Sequence, residues 1–534
     1  MNRLYRLAIP LLICAPATGC VLINDYGSFT VGDVDAGPGG MDGSMRDAAG
    51  SDGGDGGRRD GGGSDTGTGD AGDCREADTL YVAETGDDSN DGSYGSPLRT
   101  VAAAMDAARA DTSITQVFLS AGTYDATYES ANDVDLADGV TLRGGYSADF
   151  CTYDPSANVT TIEERFMGGV SIDPMNPPIV ALTGDDLPNG VVLEGFRVSM
   201  GNETDDNQAG IRLRNTSAEI RDVTVADGDG REMVGIQVIG GERLVMERVT
   251  LAMDNASHAS TGIYLTNVVD ADLTQIIIDR TVSNGSLASY GIRAEYTANG
   301  PAYSIDITRS RIHGGRGGAG AAGIEIADTQ PTRAAVTARI VNNVIHGGES
   351  GSSPTYGIHY AGYSRNVTIY NNTIYSGESG GFAYGIAFPY EFAGPDVRNN
   401  VIFSYGSSQF CIYHQTNPWN GADETLSNNL FFDCPLFLFY DGTNMITTAA
   451  ALNALSNSDA NQLAATVPLA SLSGPDSLTG TMSNNDWGFA ANAPCSYTDG
   501  GFPLSSVTVD YFGNPRDTVS PSIGAIEFMG TCTP

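Results

Sequence analysis

A seven-residue pattern of apolar and polar positions recurs along the middle of the chain. Its clearest copies are Ile340-Val-Asn-Asn-Val-Ile-His346, Ile369-Tyr-Asn-Asn-Thr-Ile-Tyr375, Val397-Arg-Asn-Asn-Val-Ile-Phe403 and Leu426-Ser-Asn-Asn-Leu-Phe-Phe432. Aligned copies begin at Leu193, Ile220, Met246, Leu273, Ile307, Ile340, Ile369, Val397 and Leu426, a period of 26 to 34 residues. Periods of this size mark coils that stack and bury a shared core. Side chains alternate along a strand, so positions one, four and six are predicted to point inward. Position six agrees, running Val198, Val225, Leu251, Ile278, Ile312, Ile345, Ile374, Ile402 and Phe431. Position four is Phe196, Val223, Val249 and Ile276, passes through Ser310, and becomes Asn343, Asn372, Asn400 and Asn429. Stacked strands lie about 4.8 Å apart, which lets identical buried amides bond from coil to coil. These asparagines are predicted to be structural.

A second strand recurs behind a glycine: Gly210-Ile, Gly235-Ile, Gly262-Ile, Gly291-Ile, Gly323-Ile, Gly357-Ile and Gly385-Ile, with Cys411-Ile in the same place. The glycine is read as allowing a bend and the isoleucine as facing the core. The following residue then faces outward, giving the column Arg212, Gln237, Tyr264, Arg293, Glu325, His359, Ala387 and Tyr413. Position seven of the block gives another outward column, in which Asp279, His313, His346 and Tyr375 are successive. Together these supply acid/base groups for proton transfer and rings for sugar stacking. Arg293, Glu325 and His359 are the candidate catalytic centre: Arg293 would steady a developing negative charge, Glu325 would act as base or acid, and His359 as its partner. Tyr264, Asp279, His313, His346 and Tyr375 are candidate substrate-binding residues. The opposing reading is that outward strand positions are simply polar.

Ahead of the repeats, Leu80-Tyr-Val82 reads as a strand and Gly86-Asp-Asp-Ser-Asn-Asp-Gly-Ser93 as an acidic turn. Ser96 as cap and Pro97 in the first turn then open a helix whose apolar face is Leu98, Val101, Ala102, Met105 and Ala108. Such a helix suits a lid over the first coil. Asp87 and Asp91 match the first half of a calcium loop, although Leu98 stands where the bidentate Glu belongs. A turn capped by its own side chains is the alternative.

Thr85-Gly-Asp-Asp-Ser-Asn-Asp-Gly-Ser93, Ser96-Pro-Leu-Arg-Thr100, the Ala-rich helix and Ala121-Gly-Thr-Tyr124 resemble the opening of a group of secreted bacterial proteins of the pectate-lyase-like superfamily. Gly144-Gly-Tyr146, Asp510-Tyr-Phe-Gly-Asn-Pro-Arg516 and Ile523-Gly-Ala-Ile-Glu527 are similar to later segments of the same group. The resemblance spans roughly residues 74 to 530 and implies an all-β, right-handed parallel β-helix with a short N-terminal capping helix. The group holds polysaccharide lyases, hydrolases, adhesin-like proteins and many of no known activity, so it implies fold and export rather than one function.

The amino terminus adds an address. Arg3 and Arg6 precede the apolar run Leu7 to Cys14, which is too short to span a membrane, and Ala17-Thr-Gly-Cys20 resembles the lipobox of bacterial lipoproteins. The usual Leu is replaced by Ala17, which leaves an ordinary secreted protein as the alternative. Val21 after the cysteine favours, by the same resemblance, the outer membrane. Residues 32 to 73 are Gly and Asp almost without apolar side chains, the composition of an extended tether. With Cys14 removed and Cys20 lipidated, Cys74, Cys151, Cys411, Cys434, Cys495 and Cys532 remain. Six cysteines permit 15 pairings, and nearness in sequence favours Cys74 with Cys151, Cys411 with Cys434, and Cys495 with Cys532. A net charge of -38 argues against nucleic acid as a partner.

The organisation expected is a signal peptide at 1–19, a lipidated cysteine and tether at 20–73, a cap and first coils at 74–190, repeats at 191–440, and last coils with a closing cap around Trp487 at 441–534. The leading expectation is an outer-membrane-anchored protein that binds glycans or cell-surface polymers without a cofactor. A polysaccharide lyase or glycoside hydrolase and a purely adhesive rod are the alternatives.

Overall fold

The structure is a computed structural model that describes residues 12–15, 19–22, 74–126, 134–165, 179–279, 282–283, 287–297, 301–328, 336–362, 366–390, 394–404, 408–415, 424–465, 468–469 and 487–533. Most of the expected tether and the block 470–486 lie outside them. Around the expected cleavage site Leu12–Ala15 pairs antiparallel with Gly19–Leu22, setting Cys14 across from Cys20. Among the described residues no helix is long and apolar enough to cross a membrane.

The rest is a parallel β-helix with three strand stacks around one apolar core. The first wall is a 13-stranded sheet running from Thr79–Val82 to Ser458–Asp459. The second wall begins at Gly122–Ala126 and Thr160–Glu164 and continues through strands such as Arg311–His313 and Val344–His346. The third holds Ser289–Tyr296, Ala321–Asp328, Thr355–Gly362, Ala383–Phe388 and Gln409–His414 in register. In earlier coils the second and third walls run together in long strands, as in Arg197–Arg214 and Thr224–Ile239.

The seven-residue block is therefore not one strand. Positions one and two end a first-wall strand, and position three turns the corner in the left-handed region at Gly195, Asp222, Arg248, Gln275, Arg309, Asn342, Asn371, Asn399 and Asn428. Asn and Gly adopt that conformation most readily. The corner resets the alternation, which is why positions one and four both face inward. The position-four amides form the expected ladder. Asn343, Asn372, Asn400 and Asn429 each donate from Nδ2 to the Oδ1 of the next asparagine at 3.0–3.1 Å, the last one to Asn461. The same Nδ2 atoms bond the carbonyls of Ile307, Ile340, Ile369 and Val397. Ser310 opens the ladder, its N–H donating to Asn343, and Asn453 closes it beyond Asn461. Asn461 belongs to a tenth copy, Ser458 to Ala464, that carries no apolar signature at position one.

Three further expectations change. The capping helix is Val101–Ala110 with Thr100 as its N-cap, four residues later than Ser96. Asp88 explains the shift, because its carboxylate accepts from the N–H groups of Arg99 and Thr100 and holds Pro97 and Leu98 extended beside Tyr81. Val101, Ala102, Ala104, Met105 and Ala108 cover the first coil. The glycine of the third wall serves close approach rather than a bend. A Cβ on Gly323 would lie 2.6 Å from Ile345 Cγ2 and 2.8 Å from the Gly357 carbonyl oxygen of the next coil. Gly323→Ala is thus expected to cost about 1–3 kcal/mol through overpacking, read as a lower urea midpoint at unchanged slope.

The third change is the C-terminus. From the last coil, where Gln462 bonds the Ser496 carbonyl, residues 487–533 also run back along the side of the coils as a strap, closed by the Cys495–Cys532 disulfide. Position-three asparagines receive it: Asn342 bonds the Val509 carbonyl at 2.6 Å, Asn399 both donates to and accepts from Phe502, and Asn428 bonds the Gly500 carbonyl at 2.9 Å. Trp487, Phe489, Ile523 and Ala525 pack on Tyr375, Phe403, Phe432 and Ala464. Disulfides also join Cys74 to Cys151 and Cys411 to Cys434, so the three pairings nearest in sequence are the ones formed.

Candidate functional site

Register on the third wall assembles the candidate centre. Tyr264, Arg293, Glu325 and His359 stack in successive coils, preceded by Arg212 and Gln237 and followed by Ala387, Tyr413 and Tyr440. Glu325 is engaged on both oxygens: Oε1 lies 3.2 Å from Arg293 Nε and Oε2 lies 2.8 Å from His359 Nδ1. Arg293 also pairs with Glu295, and the Tyr264 hydroxyl donates to Glu295 at 2.7 Å. A continuous row results, from Tyr264 through Glu295, Arg293 and Glu325 to His359. Its guanidinium lies over the rings of Tyr290 and Tyr264 at 4.7 and 5.6 Å, and the His359 ring stacks on Tyr356 at 4.3 Å.

These contacts decide what each group can do. Burial works against the Arg293 charge, but Tyr290, Glu325, Glu295 and Tyr264 outweigh it and raise its pKa. With two carboxylates already on it, Arg293 has little positive potential left for a developing anion. Both Glu325 oxygens face a partner, so a substrate group would compete there with Arg293 and His359. The bond to Glu325 occupies Nδ1, so Nε2 is the ring nitrogen of His359 left to face a ligand. Of the row's ionisable groups, His359 Nε2 is the atom not already engaged by a neighbour.

Tyrosines frame the row. Tyr356, Tyr384 and Phe410 stack face to face along the coil axis, with centroids 5.2 and 4.9 Å apart, and Tyr413 stacks on Tyr440. Ring faces are thus spent on one another, and edges and hydroxyls are what the wall offers. Burial pushes the Tyr264 phenol up and the Tyr413 phenol up to about 12, keeping both as neutral hydrogen-bonding groups. Sequence reasoning passed over Glu295, Tyr290 and Tyr356. The signals were present: Glu295 follows Arg293 by two residues on one strand face, and Tyr-Gly-Ile recurs at Tyr290, Tyr356 and Tyr384.

The other candidates lie elsewhere. Asp279, His313, His346 and Tyr375 belong to the second wall, and most of that column is not the exposed face expected. Asp279 pairs with Arg311 at 2.6 Å. His313 is 1% exposed and stacks on His346 at 4.1 Å. The Nδ1 atoms of these two rings accept the N–H groups of Gly315 and Gly348. Tyr375 stacks on Phe403 beneath the strap, with Trp487 at 6.4 Å. The strap, invisible to a pattern of alternation, takes the place expected for substrate. Asp87 and Asp91 sit in the N-terminal turn, where each accepts from the serine two residues on. Bonds from Ser89 hold the Asp87 carboxyl below its usual range, and bonds from Ser93 do the same for Asp91. Among the described residues, the one group of three potential metal ligands within 4.8 Å is Cys495, Asp499 and Cys532, two of which form a disulfide. Cys20 lies across from Cys14 in the N-terminal strand pair.

Family comparisons divide the chain in two. "Protein of unknown function (DUF1565)" matches residues 84–267 and "Right handed beta helix region" matches residues 261–462. No curated protein matches the chain. Among solved structures, the chain is similar to pectate lyase Pel9A at 14% identity, with a TM-score of 0.45 and coverage of 84% of this chain and 96% of that one. It is similar to a rhamnogalacturonan lyase at 10% identity, TM-score 0.29, covering 60% and 87% of the two chains. A complex of XylC with xylose is similar at 9% identity, TM-score 0.33, covering 85% and 99%.

Proposed function

We propose that this chain, a right-handed parallel β-helix with an N-terminal domain of unknown function, binds glycans or another polyhydroxylated cell-surface polymer along its third wall. The observation that carries the reading is the unbroken row from Tyr264 to His359. It presents donors and acceptors at one rung spacing, about 4.8 Å, on a rigid wall and flanked by phenol hydroxyls. Fixed, preorganised polar groups of this kind lose little entropy when a polymer lies along them. In the same reading the signal at 1–19 is removed, Cys20 carries lipid in the outer membrane, and residues 20–73 hold the β-helix away from that surface.

The test is a glycan array followed by titration of the best binder. Combining Tyr356→Ala with His359→Ala is expected to weaken binding at least about tenfold, the loss of one or two hydrogen bonds to polar ligand groups. Catalysis is the second reading, favoured by the free Nε2 of His359 held by Glu325. Depolymerisation of a bound glycan by the wild type, abolished in both His359→Ala and Glu325→Gln, would replace the binding reading with an enzymatic one. Absence of binding to every glycan would leave the adhesive rod.

A further inference from the structure

Two of the five histidines, His313 and His346, end successive strands of the second wall and stack ring on ring, with planes 13° apart. Each ring accepts a backbone N–H: Gly315 donates to His313 Nδ1 at 2.8 Å, and Gly348 donates to His346 Nδ1 at 2.9 Å. A ring nitrogen that accepts a hydrogen bond carries no proton, so both rings are neutral and hold their proton on Nε2. Both donors stand in the left-handed region, Gly315 at φ 72° and Gly348 at φ 84°, and the Gly315 carbonyl accepts from Glu349 in the next coil. The imidazoles are therefore the caps of two linked glycine turns. Adding a proton to either ring replaces an acceptor with a donor aimed at a glycine N–H, and adding one to each sets two like charges at stacking distance. His313 is buried, so water cannot replace the lost bond. The strap meets this pair at its first residue. Trp487 lies 6.4 Å from both His346 and Tyr375 and 5.3 Å from Phe403, and His346 meets Tyr375 in a T at 4.7 Å.

On the elements packed around the pair, most carboxylates are already matched by cations. Asp279 pairs with Arg311, Glu349 lies 3.9 Å from Arg316, and on the strap Arg516 pairs with Glu527. Glu378 stands in register with Glu349 one coil further. The strap adds Asp510, which accepts from Phe512 and Asn514, and Tyr511, whose phenol burial pushes up. At Nδ1 neither ring meets a carboxylate, unlike His359 at Glu325. We infer that His313 and His346 are an acid-sensitive latch: as neutral rings they seat the Trp487 end of the strap, and protonation frees it and uncovers Tyr375 and Phe403. An imidazole in the opened chain takes up a proton below about pH 6.5, whereas the closed form resists it. The closed form therefore binds fewer protons and gives way as pH falls, by up to about tenfold per ring for each unit below that value.

The experiment follows Trp487 emission and acrylamide quenching in the full chain between about pH 7.5 and 5.5, with Trp419→Phe removing the other indole. In this parent protein the emission is expected to shift to the red as pH falls, with at least about tenfold more of the open form at the acid end, and to return at neutral pH. Adding His313→Asn and His346→Asn keeps an acceptor near each Nδ1 position that cannot ionise, and is expected to hold Trp487 buried throughout. That variant leaves His258, His359 and His414 in place, so their contribution is common to both proteins. Emission that is flat in the parent, or that shifts alike in parent and variant, overturns the proposal. If the variant is open or unfolded at neutral pH, the imidazole nitrogen resonances of the parent decide. Imidazolium signals from His313 and His346 while Trp487 stays buried overturn the latch, and neutral signals that give way together with the Trp487 shift support it.

Discussion

Arg516→Ala is expected to lose about 3–5 kcal/mol of stability, the cost of breaking a buried ion pair from one side. Arg516 holds the strap to the coils, since one guanidinium bonds Glu527 and the side chain of Asn342 on the corner column. Burial pushes its pKa down and is opposed by Glu527 and Asp510. Burial likewise pushes the Glu527 carboxyl up, opposed by Arg516. Both directions say that each charge is tolerated for the sake of the other. Removing the cation leaves Glu527 buried with only the N–H groups of Ser522 and Asp517. Urea unfolding would measure the loss, and limited proteolysis within residues 487–533 would show the strap releasing first. Arg516→Met combined with Glu527→Leu should recover most of the stability, because two apolar groups replace a pair whose desolvation nearly cancels its attraction. A loss below about 1 kcal/mol in Arg516→Ala, the ordinary size for a point mutation, would mean that the pair does not secure the strap.

Asn400→Val carries the second large effect, about 2–5 kcal/mol. Apolar residues suit position four in the early coils, where Val223 and Val249 are fully buried. Inside the ladder the same side chain strands its neighbours. Asn372 donates both its N–H and its Nδ2 to Asn400 Oδ1, at 2.9 and 3.0 Å. Asn400 Nδ2 in turn reaches the Ile369 and Arg398 carbonyls and Asn429. Each buried group left without a partner costs about 1–3 kcal/mol. The urea midpoint of Asn400→Val should therefore fall much further than that of Val249→Ala, which removes only two methyl groups from the same position five coils earlier. Equal falls would mean that the ladder adds nothing beyond packing.

Much of this scaffold was legible because it is local or repeats. Alternation and a recurring block identified the inward column, the glycine-led strand, and the succession Arg293, Glu325, His359. Once those residues occupy equivalent places in consecutive coils, parallel register must bring them together. The asparagine ladder followed from amides at one repeating position. The terminal segments Asp510 to Arg516 and Ile523 to Glu527 were legible only as a resemblance. Their contacts give the reason: Arg516 and Glu527 are the strap's buried pair, and Asp510 accepts the N–H of Glu527.

What the repeat could not convey is what lies against a wall. His313, His346 and Tyr375 have the alternation of an exposed column, yet a segment more than a hundred residues away covers that region. No periodicity encodes such a contact. Position three carries a faint trace of it, charged at Asp222, Arg248 and Arg309 and asparagine from Asn342 onward, where the strap requires amides.

The sequence by itself determined the coil, its inward face and the order of groups along each wall. A strand's period of two and the return of the same block in every coil leave those no freedom. Tertiary structure alone decided which wall the strap covers, and that Glu325 is held between Arg293 and His359. Those outcomes depend on distances of a few ångströms between residues on different coils and in the strap, and electrostatics and burial are set at that range.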